Sequence, residues 1–179
     1  MKNHFLIALL VITTTTLFGQ FAVRAGLNFS NISEVSFETE ARTGIHVGFM
    51  HTSSIGKNVS FRPGALLSLK GFNTFDDAGE LTYLEVPLSF IFHVIGKPSG
   101  LYLELGPYGG LMIGSGGISD IEYNTVDIGL NLGAGLTLGR FGVGITYGYG
   151  LTSIESGNFS GDNKALRNRN VGLFGYIAF

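Results

Sequence analysis

Hydrophobic and polar residues alternate with a period of two along most of the chain after residue 20. Side chains of an extended strand point to opposite faces in turn, so this alternation predicts strands with one apolar and one polar face. In the clearest stretch, aliphatic residues occupy every even position from Val126 to Leu138, and the odd positions carry Asp, Asn, Thr and Gly. The pattern recurs eight times, and the predicted strands cover about 21–31, 43–51, 59–71, 81–94, 100–113, 125–138, 141–151 and 170–179.

The last predicted strand, Asn170 to Phe179, favours a membrane fold over a soluble one, and the seven similar strands before it support that interpretation. Val171, Leu173 and Ile177 share one face, and the chain stops on an aromatic residue directly after the strand. In a soluble protein, nothing further in the chain would cover this apolar face, and the strand would be an exposed edge strand. In a membrane barrel the strand pairs with the first strand and faces lipid. We therefore predict an all-β fold, an eight-stranded antiparallel up-and-down transmembrane β-barrel, whose strands are long enough to cross a bilayer at a tilt.

The first 20 residues have the pattern of a secretory signal peptide. Lys2 and His4 form a short polar start, Phe5–Ile12 is apolar, and a cut near Gly19 or Gln20 precedes the first strand. The alternative is a buried N-terminal helix. We predict two segments, a signal peptide over residues 1–20 and one barrel domain over residues 21–179, so that the mature chain leaves the cytoplasm.

The predicted connections alternate in length. Short ones fall near 52–58, 95–99 and 139–140, and long ones near 32–42, 72–80, 114–124 and 152–168. Bacterial outer-membrane barrels place short turns in the periplasm and long loops outside. This alternation predicts a location in the bacterial outer membrane with the N- and C-termini periplasmic.

Composition agrees with a membrane barrel. Only 13% of residues are charged and 45% are hydrophobic, whereas soluble domains are about 25% charged. Beyond the N-terminus, no apolar run reaches the ~18 residues of a spanning helix. The net charge of −2 provides no basic surface, which argues against a nucleic-acid partner. The absence of Cys excludes disulfides and thiolate sites.

Acidic residues avoid every predicted apolar face. Ten of the 13 lie in the predicted long loops: Glu34, Glu38, Glu40, Asp76, Asp77, Glu80, Asp120, Glu122, Glu155 and Asp162. The other three, Glu85, Glu104 and Asp127, fall on polar faces. This distribution is expected of a lipid-facing surface, because a charge in the bilayer is costly.

The polar faces predict a filled interior, since eight strands enclose a space that side chains can occupy. Glycines of the sixth and seventh strands are expected to lie opposite the inward aromatic residues Tyr83, Tyr102, Tyr108, Phe174 and Tyr176. Three cations are expected to balance three acids in a charged interior network: Arg24, Arg62, Lys70, Glu85, Glu104 and Asp127. Buried charges are normally paired, so this network would plug the barrel. The alternative is a narrow polar channel lined by the same six residues.

Three segments resemble a known family. They are Val23-Arg-Ala-Gly-Leu-Asn-Phe-Ser30, Tyr83-Leu-Glu-Val-Pro-Leu-Ser89 and Arg169-Asn-Val-Gly-Leu-Phe-Gly-Tyr-Ile-Ala-Phe179. The chain resembles the PorT-like outer-membrane β-barrel family ("porin family protein") over residues 21–179, and more distantly the eight-stranded barrels of the OmpA/OmpX type. The resemblance implies the fold and the location and brings no catalytic residues. Because some members of that family serve a secretion apparatus, it also suggests an accessory subunit of such an apparatus.

Partners follow from the predicted fold. Tyr176 and Phe179 are the predicted C-terminal insertion signal, so outer-membrane lipid and the barrel-assembly machinery are expected partners. The outward loops offer a surface for a protein partner. Asp76, Asp77 and Glu80 lack the spacing of a calcium loop, so a solvated acidic surface is expected, and loose bridging of Ca²⁺ or Mg²⁺ to lipid phosphates is the alternative.

Catalytic chemistry is not evident. A lipid hydrolase needs Ser, His and a carboxylate in contact. Glu85, Ser89 and His93 share a strand face, but Ser89 and His93 would lie roughly 13 Å apart along the strand. We therefore predict no enzyme activity, no cofactor and no metal site. The leading prediction is a structural or interaction scaffold with outward acidic loops, and the alternatives are a small-solute pore, a secretion subunit and a soluble ligand-binding barrel with inverted faces.

Overall fold

A computed structural model describes the chain over residues 19–33, 40–73, 78–97, 99–116, 124–153 and 167–179. The predicted signal peptide lies outside the described residues, apart from Gly19 and Gln20.

Eight antiparallel strands close into one barrel in the order of the sequence. They are β1 (Gln20–Ser33), β2 (Glu40–Ser54), β3 (Val59–Asn73), β4 (Ala78–His93), β5 (Gly100–Gly116), β6 (Val126–Leu138), β7 (Phe141–Gly150) and β8 (Arg167–Ala178). Strands β1 and β8 close the barrel, with a register that runs from Ala22 opposite Ala178 to Ser33 opposite Arg167. The predicted fold class and its closing strand pair are confirmed.

The two ends of the barrel differ. The terminal end holds Gln20, Phe179 and the connections 55–58, 94–99 and 139–140. At the opposite loop end the strands run further than predicted, for example β5 to Gly116. There the alternation fades because both faces of a strand that rises above a bilayer meet water, while the backbone ladder continues.

One predicted connection was wrong. The long loop expected over 72–80 is largely strand, and only residues 74–77 separate β3 from β4. Glu80 consequently lies in β4. Glu40, which the sequence places in the connection over 32–42, lies in β2. The other eight predicted loop acids lie outside the described residues.

The outer face of the barrel is apolar. Large hydrophobic side chains such as Phe49, Leu103, Leu132 and Val143 are exposed on it, as a lipid-facing surface requires. Inward positions on the same strands are buried, in the alternation that the sequence predicts. No helix within the described residues is long and apolar enough to cross a membrane.

Inside the barrel, aromatic rings lie directly opposite glycines of the neighbouring strand. The four cross-strand pairs are Tyr102–Gly135, Tyr108–Gly129, Phe174–Gly144 and Tyr176–Gly142. A Cβ on any of these glycines would overlap atoms of the facing ring. Glycine is therefore required at these positions by close approach, and the predicted packing of small residues against large ones is present.

Candidate functional site

The six charged residues predicted for the interior all lie inside the barrel. Their relative exposures are Arg24 7%, Arg62 6%, Lys70 4%, Glu85 9%, Glu104 2% and Asp127 3%. They do not form one continuous network, because their contacts separate them into three clusters along the barrel axis.

The loop-end cluster is built around Lys70. Its ammonium group contacts the carboxylate of Glu85 directly and lies 3.8 Å from Oδ2 of Asp127. The hydroxyl of Tyr108 donates a hydrogen bond to Asp127 at 3.2 Å, and the amide of Asn168 donates another at 2.9 Å. Strands β3, β4, β5, β6 and β8 all contribute, so this cluster ties opposite sides of the barrel together. One cation faces two acids here, and neutral donors satisfy the surplus carboxylate.

In the middle cluster, no carboxylate of the described residues forms an ion pair with Arg24. Nε of Arg24 donates to Nε2 of His46 at 3.2 Å, and the guanidinium lies 3.7 Å from the ring centre of Phe174. Nδ1 of His46 lies 2.9 Å from Oδ1 of Asn28. The imidazole accepts from Arg24 through Nε2, so its proton sits on Nδ1 and is donated to Asn28. Here an imidazole and an aromatic face support the buried cation, where the sequence predicts balancing by acids.

The terminal-end cluster pairs Arg62 with Glu104. Nη1 of Arg62 lies 4.0 Å from Oε2 of Glu104, and Nε donates to Oγ1 of Thr52 at 3.0 Å. The guanidinium also lies 4.9 Å from the ring centre of Tyr102. This ion pair is looser than the contact of Lys70 with Glu85.

Two cavities within the described lumen lie beside these clusters. The vestibule, about 170 Å³, opens at the terminal end and is lined by Thr52, Ser54, Ser60, Arg62, His93, Lys97, Thr137 and Tyr176, among others. The inner cavity, about 30 Å³, lies between Arg24 and Lys70. A water molecule needs about 10–15 Å³ of such space, so the inner cavity, at about 30 Å³, holds only two or three waters. The three clusters fill the lumen around it.

Sequence reasoning missed the partners of the interior serines and histidines. Ser89 donates to Oε1 of Glu104 at 2.6 Å, whereas Nε2 of His93 lies 3.0 Å from Oγ of Ser60. Ser89 and His93 thus have separate partners, in line with the distance expected along the strand. Ser60 sits on the polar face of its predicted strand, but its contact with His93 depends on the β3–β4 register, which the sequence does not specify.

The two residues of the predicted insertion signal occupy opposite faces. Tyr176 points into the barrel, with its hydroxyl 2.6 Å from Oγ1 of Thr137. Phe179 is 70% exposed, and its backbone amide donates to the carbonyl of Phe21 at 2.8 Å. Only Phe179 presents its ring outward.

A closed barrel with an apolar exterior and buried charges defines an integral outer-membrane β-barrel. Residues 18–156 match the family described as outer membrane protein beta-barrel domain, and the chain belongs to this family. The protein is therefore an outer-membrane barrel, as predicted. The narrower resemblance to PorT-like proteins stays a prediction.

Solved outer-membrane barrels share the fold. Ail, the attachment invasion locus protein of Yersinia pestis, is 16% identical with a TM-score of 0.52, covering 90% of this chain and 99% of Ail. Neisserial surface protein A is 13% identical with a TM-score of 0.55, covering 89% and 97%. OprG from Pseudomonas aeruginosa is 11% identical with a TM-score of 0.51, covering 90% and 93%. A search of curated proteins finds no match to the chain.

Proposed function

We propose that the protein is a closed, non-enzymatic scaffold of the outer membrane that presents the connections at its loop end to the cell exterior, with both termini in the periplasm. The observation that carries this proposal is the filling of the lumen by three side-chain clusters. A barrel that does not conduct acts through its surfaces, and the longest connections lie at the loop end.

The contacts of the loop-end cluster support a closed barrel over a small-solute pore. Lys70 contacts Glu85 and lies close to Asp127, and Asn168 reaches from β8 to Asp127. Separating a buried ion pair without new partners costs several kcal/mol, because both charges are then left desolvated. A conducting path would have to separate these groups or move them aside.

The burial of Ser60 supports a non-enzymatic role. It shares a hydrogen bond with His93, an arrangement that could activate a nucleophile, but it is only 2% exposed. A substrate carbonyl would need to reach its oxygen at bonding distance. The pair fits better as a buried structural contact.

The proposed partners follow from the three surfaces of the barrel. The apolar outer face contacts outer-membrane lipid, and the terminal strand, ending at Phe179, is offered to the barrel-assembly machinery. The loop end takes a protein partner. An ion pair of 2.7 Å between Arg42 of β2 and Glu80 of β4 links the strands on either side of β3 at that rim, which supports a firm platform for the connections.

A complementation experiment distinguishes the scaffold function from the pore function. In a strain that lacks the gene, we compare the wild-type chain with two variants, each present in the outer membrane at wild-type level. One replaces residues 154–166 with a Gly-Ser linker, and the other carries Lys70→Met with Glu85→Leu. We expect the interior variant to restore the wild-type envelope phenotype and the loop variant to fail. The reverse result would contradict the scaffold and favour a pore.

Single cysteines test the orientation, since the chain has no Cys of its own. Ser115 lies exposed at the loop end and Lys57 at the terminal end. A membrane-impermeant maleimide should label Ser115→Cys on intact cells and Lys57→Cys only after the outer membrane is permeabilised. Labelling in the opposite order would invert the proposed orientation.

A further inference from the structure

The outward face of β8 changes from apolar to cationic near the loop end. Its outward positions carry no charge from Phe179 up to Val171, and the next two are Arg169 and Arg167. A strand rises ~3.3 Å per residue and tilts by about 40° in such barrels, so the ten residues from Arg169 to Phe179 span roughly 25 Å of membrane height. The apolar band of these barrels is about 25 Å tall. Arg169 therefore lies at the loop-end edge of the band, at the level of the lipid headgroups.

The strands on either side of β8 change character at the same height. Asn31 of β1 and Tyr149 of β7 lie directly opposite Arg169. One outward position nearer the middle of the membrane, the two neighbouring strands carry the exposed aromatic residues Phe29 and Tyr147. Aromatic side chains collect at the membrane interface of barrels. Three adjacent strands thus agree that the headgroup region begins at the row of Arg169.

Arg169 has hydrogen-bond donors available at this position. It is exposed, and its guanidinium lies 5.7 Å from the ring centre of Tyr149. The hydroxyl of Tyr149 accepts a hydrogen bond from Nη1 of Arg167 at 3.3 Å, so one tyrosine positions two guanidinium groups. No carboxylate of the described residues forms an ion pair with Arg169. A cation at the edge of a bilayer is costly unless an anion accompanies it, and the contact with an aromatic face uses no hydrogen-bond acceptor.

An open apolar groove of about 680 Å³ lies on the outer face below Arg169. Leu27, Ile145, Leu173 and Gly175 are among its lining residues. Gly175 leaves the groove open because it has no side chain on the outward face. Six residues of tilted strand place Gly175 roughly 15 Å below Arg169. This depth is about half of the ~30 Å hydrocarbon core, which is the reach of an acyl chain from the same leaflet.

We propose that Arg169 and this groove bind one phosphate-bearing lipid of the leaflet at the loop end. The guanidinium of Arg169 donates to the phosphate oxygens, in a charge-assisted hydrogen bond, and an acyl chain of the same molecule lies over Gly175. The cation and the groove are on the same strands, β7, β8 and β1, at the separation that one lipid molecule spans. The site depends on the lipid-facing exterior and not on the scaffold function. With the proposed orientation the leaflet is the outer one, which the maleimide experiment tests separately.

Native mass spectrometry of the folded chain tests the phosphate contact, with the chain released from nonionic detergent micelles that contain phosphatidylglycerol. We expect the wild-type barrel to retain one lipid. Arg169→Gln should weaken the binding about tenfold, the effect of one hydrogen bond to a charged group. Diacylglycerol with the same acyl chains, which lacks the phosphate, should bind the wild-type chain at least as weakly as phosphatidylglycerol binds the variant.

Gly175→Leu tests the groove independently of the charge. The nearest atom to a Cβ at Gly175 is the carbonyl oxygen of Gly142 at 3.7 Å, an ordinary contact, so the new side chain fits and occupies the groove. We expect weaker retention of phosphatidylglycerol. Gly109→Leu is the matched control, because Gly109 is an outward glycine of β5 whose Cβ would meet no atom within 4 Å. Its lipid affinity should stay at the wild-type value.

Arg140→Gln is the control for charge, since Arg140 is exposed in the turn at the opposite end of the barrel. It should bind phosphatidylglycerol like the wild-type chain, and a loss equal to that of Arg169→Gln would overturn the proposal as a diffuse charge effect. Equal retention of diacylglycerol, or no retained lipid on the wild-type chain, would also overturn it. So would a pair of chains that Gly175→Leu separates, because a second copy would then occupy the groove.

Discussion

Tyr176 lies directly opposite Gly142 across the β7–β8 pair and places its hydroxyl 2.6 Å from Oγ1 of Thr137 on β6. The glycine makes room for the ring, and the ring fills the space that the glycine leaves. This relation recurs in three more cross-strand pairs and explains how a narrow barrel holds large aromatic side chains in its interior.

We predict that Gly142→Ala destabilises the barrel by about 1–3 kcal/mol, because the added methyl group overlaps the ring of Tyr176 and forces it from its position. Equilibrium unfolding in urea, with the chain in detergent micelles, measures this change. Adding Tyr176→Leu to the Gly142 variant should recover part of the loss.

Gly109→Ala is the control for that experiment, since a Cβ at Gly109 meets no atom within 4 Å. Its stability should stay within about 0.5 kcal/mol of the wild-type value. A similar loss at both positions would mean that glycine acts through the backbone and not through space for the ring.

A charge on the outer face should impair insertion according to its depth. Leu132, near the middle of β6, is 57% exposed, and Leu138, at the terminal end of the same face, is 61% exposed. We expect Leu132→Arg to cost about 2–4 kcal/mol and Leu138→Arg about 0–1 kcal/mol. Folding yield into lipid vesicles measures the difference, and equal yields for the two variants would contradict a lipid-facing β6.

In the loop-end cluster, Lys70 faces two carboxylates, so the stability of the barrel should depend strongly on its charge. Lys70→Met leaves the carboxylates of Glu85 and Asp127 buried without a cation, so we expect a loss of about 3–5 kcal/mol in the free energy of unfolding. A combined replacement, Lys70→Met with Glu85→Leu and Asp127→Asn, should recover most of it. Urea titration of the wild-type chain and the two variants tests the order of stabilities. No recovery in the triple variant would show that the loss in Lys70→Met does not come from the unpaired carboxylates.

The strands could be predicted because each has lipid on one face and packed side chains on the other. The alternation of aliphatic residues with polar residues and glycines in β6 follows directly from this contrast. The same argument places Glu85, Glu104 and Asp127 on inward faces. It fails at the loop end, where both faces meet water and Glu80 continues β4 without a contrasting pattern.

Partners across strands could not be predicted. Whether Arg24 meets an acid or His46 depends on the register of β1 with β2, and whether His93 meets Ser89 or Ser60 depends on the register of β3 with β4. Irregularities between Ala41 and His46 and between Thr82 and Tyr83 shift the pairing locally. The alternation of residues within a single strand contains no information about these shifts in the pairing of neighbouring strands.

The closed interior is tested most directly by single-channel conductance of the refolded chain, residues 21–179, in a planar bilayer, with Arg62→Ala and Glu85→Ala measured beside it. The three clusters predict a wild-type barrel that inserts and stays electrically silent. Discrete and reproducible openings whose size changes with either substitution would contradict the account, because these side chains would then line a conducting path.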